Sequence, residues 1–259
     1  MVVTDLDGTL LRADKTISEY TVSVFQRCRK QGIKVVFATA RSEASCKRFA
    51  DMINPDAIIS NGGALVRVGG KIVYRGTMSM ETTNELLLSC LKRPQVGYIT
   101  VDTDKEYFVN KPIDATDPGW IEYLPAYHMD FSQGLDCDSY KTTVEISDDI
   151  TAYEIASNFP TVDVIPFSGE GWFRFADKAA DKWHGVKALS NHTGTALSAI
   201  AAFGDDYNDI EMLRGCGCGI GIAVANAIDE VNAVADYVCD ANDNDGLAKW
   251  LENNVLSII

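Results

Sequence analysis

Short apolar runs alternate with helix-period segments over the first sixty residues. Val2-Val3-Thr4 predicts a strand that ends at Asp5. Residues 18–30 place Phe25 and Cys28 on one helical face with charge opposite, and Gly32 closes that helix. Residues 35–38 (Val-Val-Phe-Ala) form a second buried strand. Ser42 suits the N-cap of another helix, in which Cys46, Phe49 and Ile53 recur at three- and four-residue spacing. Asn54-Pro55 stops it, and residues 57–60 are a third strand. This alternation predicts a parallel sheet with right-handed crossovers.

The last third repeats the style. Residues 182–191 read as a helix, 200–203 as a strand, 209–214 as a short helix and 220–224 as a strand. A helix over 227–235, a short strand at 237–239 and a final helix from Asp245-Gly246 through Leu256 complete it. The middle differs. Between residues 80 and 177 alternating strands (97–102, 107–110, 142–146, 172–175) are separated by helical stretches, and most of the prolines lie there. The expectation is an α/β core made of residues 1–79 and 178–259, interrupted by an α+β cap at 80–177.

Composition narrows the function classes. The chain has 259 residues, 46% hydrophobic and 23% charged, an ordinary globular balance with ample apolar material for a core. Its formal net charge of −14 argues against a general nucleic-acid or anionic-membrane binder, which would cluster Lys and Arg. Seven scattered cysteines, an odd number, give no disulfide framework and are expected to be reduced thiols. Cys216-Gly217-Cys218 is the one close pair, and its glycines favour a buried turn over redox work. No basic segment followed by an apolar stretch opens the chain, and no run of about 18 apolar residues occurs, so a cytoplasmic location is expected. Only four residues precede Asp5, and a natural start upstream of Met1 would lengthen the first strand. The oligomeric state is not legible.

Ligands of open parallel sheets bind beyond the carboxyl ends of the strands. Strand one ends in Asp5-Leu6-Asp7-Gly8-Thr9, strand two in Thr39-Ala40-Arg41, and strand three in Asn61-Gly62-Gly63. The strand at Phe203 ends in Gly204-Asp205-Asp206-Tyr207-Asn208-Asp209. Carboxylates converging from two strand ends repel one another, and a hard divalent cation with oxygen ligands relieves this, Mg2+ above all. A threonine hydroxyl, glycine turns that expose N–H groups, and a lysine suit the oxygens of a phosphoryl group.

This set resembles the haloacid dehalogenase (HAD) superfamily of phosphohydrolases, in its Cof-like branch with a large α+β cap. Asp5-Leu6-Asp7-Gly8-Thr9 matches the first motif. Phe37-Ala38-Thr39-Ala40-Arg41 matches the second, with Ala40 where glycine is usual. Gly204-Asp205-Asp206-Tyr207-Asn208-Asp209 is a near-complete fourth motif. Asn61-Gly62-Gly63, Asn226 and Asn242-Asp243-Asn244-Asp245-Gly246 resemble further features of the branch. The resemblance covers the whole core and implies a HAD-like Rossmannoid fold.

It also implies a mechanism. Asp5 would be the nucleophile that forms an aspartyl-phosphate, and Asp7 the acid that protonates the leaving group and then activates water. Mg2+ would be held by Asp5, the Asp7 carbonyl and Asp205, with Asp209 orienting metal waters. Thr39, Lys182 and Asn208 would contact the phosphoryl group. Lys182 stands in an imperfect third motif, since residues 177–180 replace the usual proline and glycine; Lys178 and Lys187 compete for its place. Arg41 is open between a substrate contact and a helix-start ion pair. His128, His184 and His192 have no metal-ligand spacing. Trp120, Tyr123, His128 and Trp172 are candidates to wall a substrate pocket, Trp172 being equally suited to the cap's core.

The activity so implied is Mg2+-dependent hydrolysis of small phosphorylated metabolites, sugar phosphates first, with neither nucleic acid nor membrane as partner. A hexose-phosphate phosphomutase is the enzymatic alternative, though residues 114–138 lack the extra basic groups that re-donation of phosphate demands. A receiver-type signalling domain would not contain so large an insertion, and a silent phosphometabolite sensor would not need Asp7.

Overall fold

The computed structural model describes residues 1–117, 120–214 and 219–257. Cys216 and Cys218 lie outside the described residues. The chain divides into two compact units, one formed by Met1–Tyr74 with Asp181–Ile259, the other by Arg75–Ala180.

The first unit is an α/β fold on an eight-stranded sheet. Its strands are β1 (Val2–Thr4), β2 (Val35–Ala38), β3 (Ala57–Ser60), β4 (Leu65–Val68) and β5 (Lys71–Arg75). After the second unit come β12 (Ala201–Gly204), β13 (Ile220–Val224) and β14 (Tyr237–Cys239). The order is β14-β13-β12-β1-β2-β3-β4-β5, parallel from β14 to β3, with β4 antiparallel to β3. The chain winds outward from β1 in one direction and from β12 in the other, so the strand order reverses between them. That crevice is the switch point at which open α/β sheets bind ligands.

The central strands are apolar on both faces because helices cover both. Val2, Val35 and Phe37 pack with Val24, Phe25, Cys28, Phe49 and Trp250 from α1 (Glu19–Lys30), α2 (Glu43–Ile53) and α8 (Gly246–Leu251). Val3, Val36 and Ala38 pack on the opposite side with Val186, Leu189, Met212 and Val231 from α5 (Lys182–Thr193), α6 (Ile210–Leu213) and α7 (Asp229–Asn232). A parallel sheet buried on both sides needs such continuous apolar runs. Ser18 and Ser42 cap α1 and α2 by accepting from Thr21 N and Ser45 N. Helix α7 is shorter than the 227–235 expected, and the residue at its N-cap, Ile228, offers no side-chain cap. The last helix runs as α8 and then widens into a π-type turn over Glu252–Leu256.

The second unit is a six-stranded sheet in the order β10-β11-β9-β6-β7-β8. These strands are β6 (Val96–Thr103), β7 (Tyr107–Val109), β8 (Ala126–His128), β9 (Ser139–Ile146), β10 (Val162–Pro166) and β11 (Trp172–Asp177). Its pairs are antiparallel except for β7 with β8. Helices α3 (Met80–Leu91) and α4 (Asp149–Ala156) supply Leu86, Leu87, Cys90 and Ile155, which pack with Ile99, Val101, Val144 and Phe173. Trp120 gathers Tyr98, Trp172 and Tyr123 around it, with ring centroids 5.1, 6.1 and 6.3 Å away. Trp172 thus belongs to an aromatic cluster of this unit, while His128 is exposed on β8. Among the described residues no helix is long and apolar enough to cross a membrane.

Candidate active site

All of the polar residues singled out at the strand ends lie in the first unit. Asp5 directly follows β1 and is buried, and its N–H donates to the Phe203 carbonyl of β12. Leu6 turns into the core and is fully buried. Asp205 directly follows β12, so the two carboxylates stand on either side of the switch point. With Asp209 they offer three carboxylate oxygens within 4.8 Å of one another.

A single buried lysine sits among them. Asp181 caps α5 by accepting the His184 N–H at 2.6 Å, which fixes Lys182 as the first residue of the helix. Lys182 Nζ donates to Asp5 Oδ1 at 2.6 Å and to Asp209 Oδ1 at 2.7 Å. Gly63 lets the turn after β3 lie directly against this helix start. Its φ is +108°, and a Cβ there would meet the Asp181 carbonyl oxygen at 1.9 Å. The rival lysines lie elsewhere: Lys187 sits over the Trp183 ring at 5.3 Å, and Lys178 is exposed in the second unit. His184 Nδ1 contacts Asp181 at 2.8 Å.

Asp209 is committed on both oxygens. Besides Lys182 on Oδ1, its Oδ2 accepts the N–H groups of Asp205 and Asp206 at 3.1 and 3.2 Å. It thereby shapes the loop that carries Asp205 and joins that loop to the lysine. Asn208, in the same turn, is buried, and neither amide atom has a hydrogen-bond partner among the described residues. An orphaned buried amide costs about 1–3 kcal/mol per group unless a ligand or water satisfies it. Thr39 follows β2, is buried, and accepts the Arg41 N–H at 3.1 Å, its N–H donating to Ile59 of β3.

Asp7 is placed differently. Its carboxylate turns to Arg41, whose Nε donates to Oδ2 at 2.6 Å and Nη2 to Oδ1 at 2.7 Å. Lys15 donates to the same Oδ1 at 2.8 Å. The structure pairs Arg41 with Asp7, while Glu43 at the start of α2 pairs with Arg67. Burial works to raise the Asp7 pKa, but the hydrogen bonds and charges of Arg41 and Lys15 outweigh it and hold it at about 2. No spacing in the sequence marks Lys15, and Thr9 stands in the first motif without a role of its own. Thr9 donates to Asp205 Oδ1 at 2.5 Å, and the signal for it was its place in the Asp-x-Asp-Gly-Thr motif.

Asp5 and Asp205 are pushed the other way. Burial raises Asp5 to about 7, with Asp209 and Asp7 adding to it and Lys182 opposing. Burial raises Asp205 to about 9, with Asp5 and Asp209 adding and Thr9 and Lys182 opposing. Lys182, despite burial, is raised by Asp209 and Asp5. Three carboxylates share one ammonium, and a hard divalent cation with oxygen ligands fits that donor set. A consequence for stability follows from the signs. The folded state keeps protons on Asp5 and Asp205 above the ordinary carboxylate range, so stability falls as pH rises from about 4 through 7 to 9. The melting temperature of metal-free protein is expected to be lower at pH 8 than at pH 6. Mg2+ should raise it more at pH 8, and Asp205→Asn should flatten both trends in a thermal scan.

The model of the haloacid dehalogenase-like hydrolases matches residues 2–251. The chain belongs to this family. Similar proteins include the Escherichia coli 5-amino-6-(5-phospho-D-ribitylamino)uracil phosphatase YbjI, 27% identical over 95% of this chain and 93% of that protein. The Arabidopsis thaliana chloroplastic endoribonuclease YBEY is 29% identical over 94% of this chain, which spans only 44% of that protein's length. Among solved structures, the HAD subclass IIB sugar phosphatase BT4131 superposes with a TM-score of 0.87 over 100% of this chain and 99% of that one. Its 24% identity speaks to the fold. That fold is a haloacid dehalogenase-like core with an inserted cap.

Proposed function

We propose that the chain is a Mg2+-dependent phosphatase of small phosphorylated metabolites that works through an aspartyl-phosphate on Asp5. The observation that carries this reading is the pairing of Asp5 and Asp205 across the switch point, with Lys182 buried 2.6 Å from Asp5. Asp5, Asp205 and the Asp7 carbonyl are the groups assigned to the cation, with Asp209 behind them. When bound, the cation neutralises charge between the nucleophilic carboxylate and the incoming phosphoryl group.

In the first step an Asp5 oxygen bonds to phosphorus as the ester P–O bond breaks, and the departing alkoxide takes a proton from Asp7. In the second, water attacks the aspartyl-phosphate, Asp7 takes its proton, and phosphate leaves with Asp5 regenerated. Clamped by Arg41 and Lys15, Asp7 is a carboxylate, the form the second step needs. Donating in the first step requires it to leave those partners and take up a proton. Lys182, the Thr39 hydroxyl and the unpartnered Asn208 amide are donors suited to the phosphoryl oxygens.

Sugar and polyol phosphates are the proposed substrate class. YbjI is named for a phosphoribityl compound and BT4131 for sugar phosphates, and in the compounds so named the phosphate ester sits on a polyhydroxylated carbon chain. EDTA is expected to silence hydrolysis of an aryl phosphate and Mg2+ to restore it. Activity that survives chelation contradicts the reading. A panel of sugar, polyol and nucleoside monophosphates then ranks substrates by kcat/KM, and a nucleotide preference would displace the sugar-phosphate assignment.

A further inference from the structure

The motif Asn242-Asp243-Asn244-Asp245-Gly246 and the isolated Asn226 touch none of the groups assigned above, yet they converge on one short segment. Asn226 lies just beyond β13 and Asn242 just beyond β14, so both stand at the carboxyl edge of the sheet, across β12 from β1. Asn226 Nδ2 donates to the Gly8 carbonyl at 2.7 Å, and its Oδ1 accepts the Asn242 N–H at 2.9 Å. Asn242 Nδ2 donates to the Leu11 carbonyl at 2.8 Å. Asp243 accepts the Ala13 N–H at 2.8 Å, and Asp245 accepts from Arg12 at 2.7 Å.

We propose that Asn226 and residues 242–245 form a clasp that positions the turn 8–13, and through it Thr9, Asp205 and Asp7, for metal binding and phosphoryl transfer. The turn acts as a lever because its main chain touches both sides of the site. Leu11 bridges to Asp7, and the Leu6 carbonyl accepts from the N–H groups of Thr9, Leu10 and Leu11. Thr9 bonds Asp205, and Lys15, beyond the turn, bonds Asp7. Gly8 presses on the metal side: its φ is +77°, and a Cβ there would meet Asp205 Oδ2 at 2.1 Å. A turn released from the clasp shifts these contacts together, and displacements of about 1 Å at a reacting centre cost up to roughly 100-fold in rate. Asparagine suits this task because one amide can donate and accept at once: Asn226 donates to Gly8 and accepts from the Asn242 main chain, and Asn242 carries the link on to Leu11 through its Nδ2.

The inference rests on the proposed roles of Asp5, Asp7 and Asp205, and the experiment separates the two. Asn226→Asp and Asn242→Asp keep the shape and remove the donor to Gly8 or Leu11. Each is expected to lower kcat on an aryl phosphate about tenfold or more with little change in KM. The Mg2+ concentration for half-activation should rise several-fold, as should that for half of the Mg2+-induced shift in melting temperature, read without substrate. An added carboxylate would by simple attraction lower both, so the direction is diagnostic. The double variant should lose no more than the worse single one, because the two amides act in one chain. Asp243→Ala, an exposed change that spares the fold, should move the same readings less. Tyr20→Phe serves as the structural comparison. It breaks the 2.6 Å bond to Glu252, away from the turn, and should lower the melting temperature alone. Unmoved Mg2+ midpoints in the Asn and Asp243 variants, or midpoints moved equally by Tyr20→Phe, overturn the clasp. Wild-type protein without Mg2+-dependent turnover overturns the underlying reading instead.

Discussion

Asp5→Asn is expected to abolish phosphate release, with turnover of an aryl phosphate falling by about three orders of magnitude or more. The amide keeps the size of the side chain but cannot act as the anionic nucleophile, and it offers one poor cation ligand in place of a carboxylate. Fold and stability should survive. Asn removes a buried negative charge that Asp205 and Asp209 oppose, which offsets the lost attraction to Lys182. The check has two parts. Acid quenching of wild-type protein during turnover of a radiolabelled substrate should trap label on the protein, and Asp5→Asn should trap none. Turnover within tenfold of wild type, in a variant with an unchanged melting temperature, would falsify the nucleophile assignment.

How much of this was legible beforehand differs between the two units for a physical reason. In the first, continuous apolar runs, serine caps and Asn54-Pro55 fixed β1 to β3 and the helices between them, because a sheet covered on both faces leaves an unmistakable pattern. Its edge was missed: β4 and β5 flank Gly69-Gly70, a turn signal that stood in plain view. In the second unit β8 is three residues long and follows Pro125, and β10 ends in proline, so neither carries a periodic signature. At the site, a strand end or a motif marks most of the residues that converge. Lys15 has no such mark, since its contact with Asp7 depends on how the loop after the first motif folds back, which no spacing encodes. The net charge of −14 also takes on a meaning it lacked. Most of it is surface charge that would repel an anionic substrate, so under the proposed function attraction would have to come from Lys182, main-chain N–H groups and a cation held by the carboxylates.

Lys182→Met should cost the protein both its activity and much of its stability. Methionine fills a similar volume but leaves Asp5 and Asp209 buried without their shared ammonium. Removing one partner of a buried ion pair costs about 3–5 kcal/mol, and loss of a preorganised phosphoryl donor costs about 100- to 1000-fold in kcat. The two losses separate in the double variant Lys182→Met/Asp209→Asn, which removes one orphaned charge and should recover stability without recovering turnover. Lys182→Arg should not rescue either, because a planar guanidinium cannot take the place of a buried point charge between two carboxylates 2.6 and 2.7 Å away. The pH dependence identifies the cause. The contribution of Lys182, whose folded pKa is raised, is complete below about 10.5 and lost only as pH rises through that higher value. The lysine itself therefore adds no slope between pH 5 and 8. Its removal lets Asp5 hold its proton to still higher pH, so the variant's melting temperature should fall more steeply over that interval than the wild type's. Parallel curves, offset but equal in slope, would mean that Lys182 stabilises the core by packing and not by neutralising the two carboxylates.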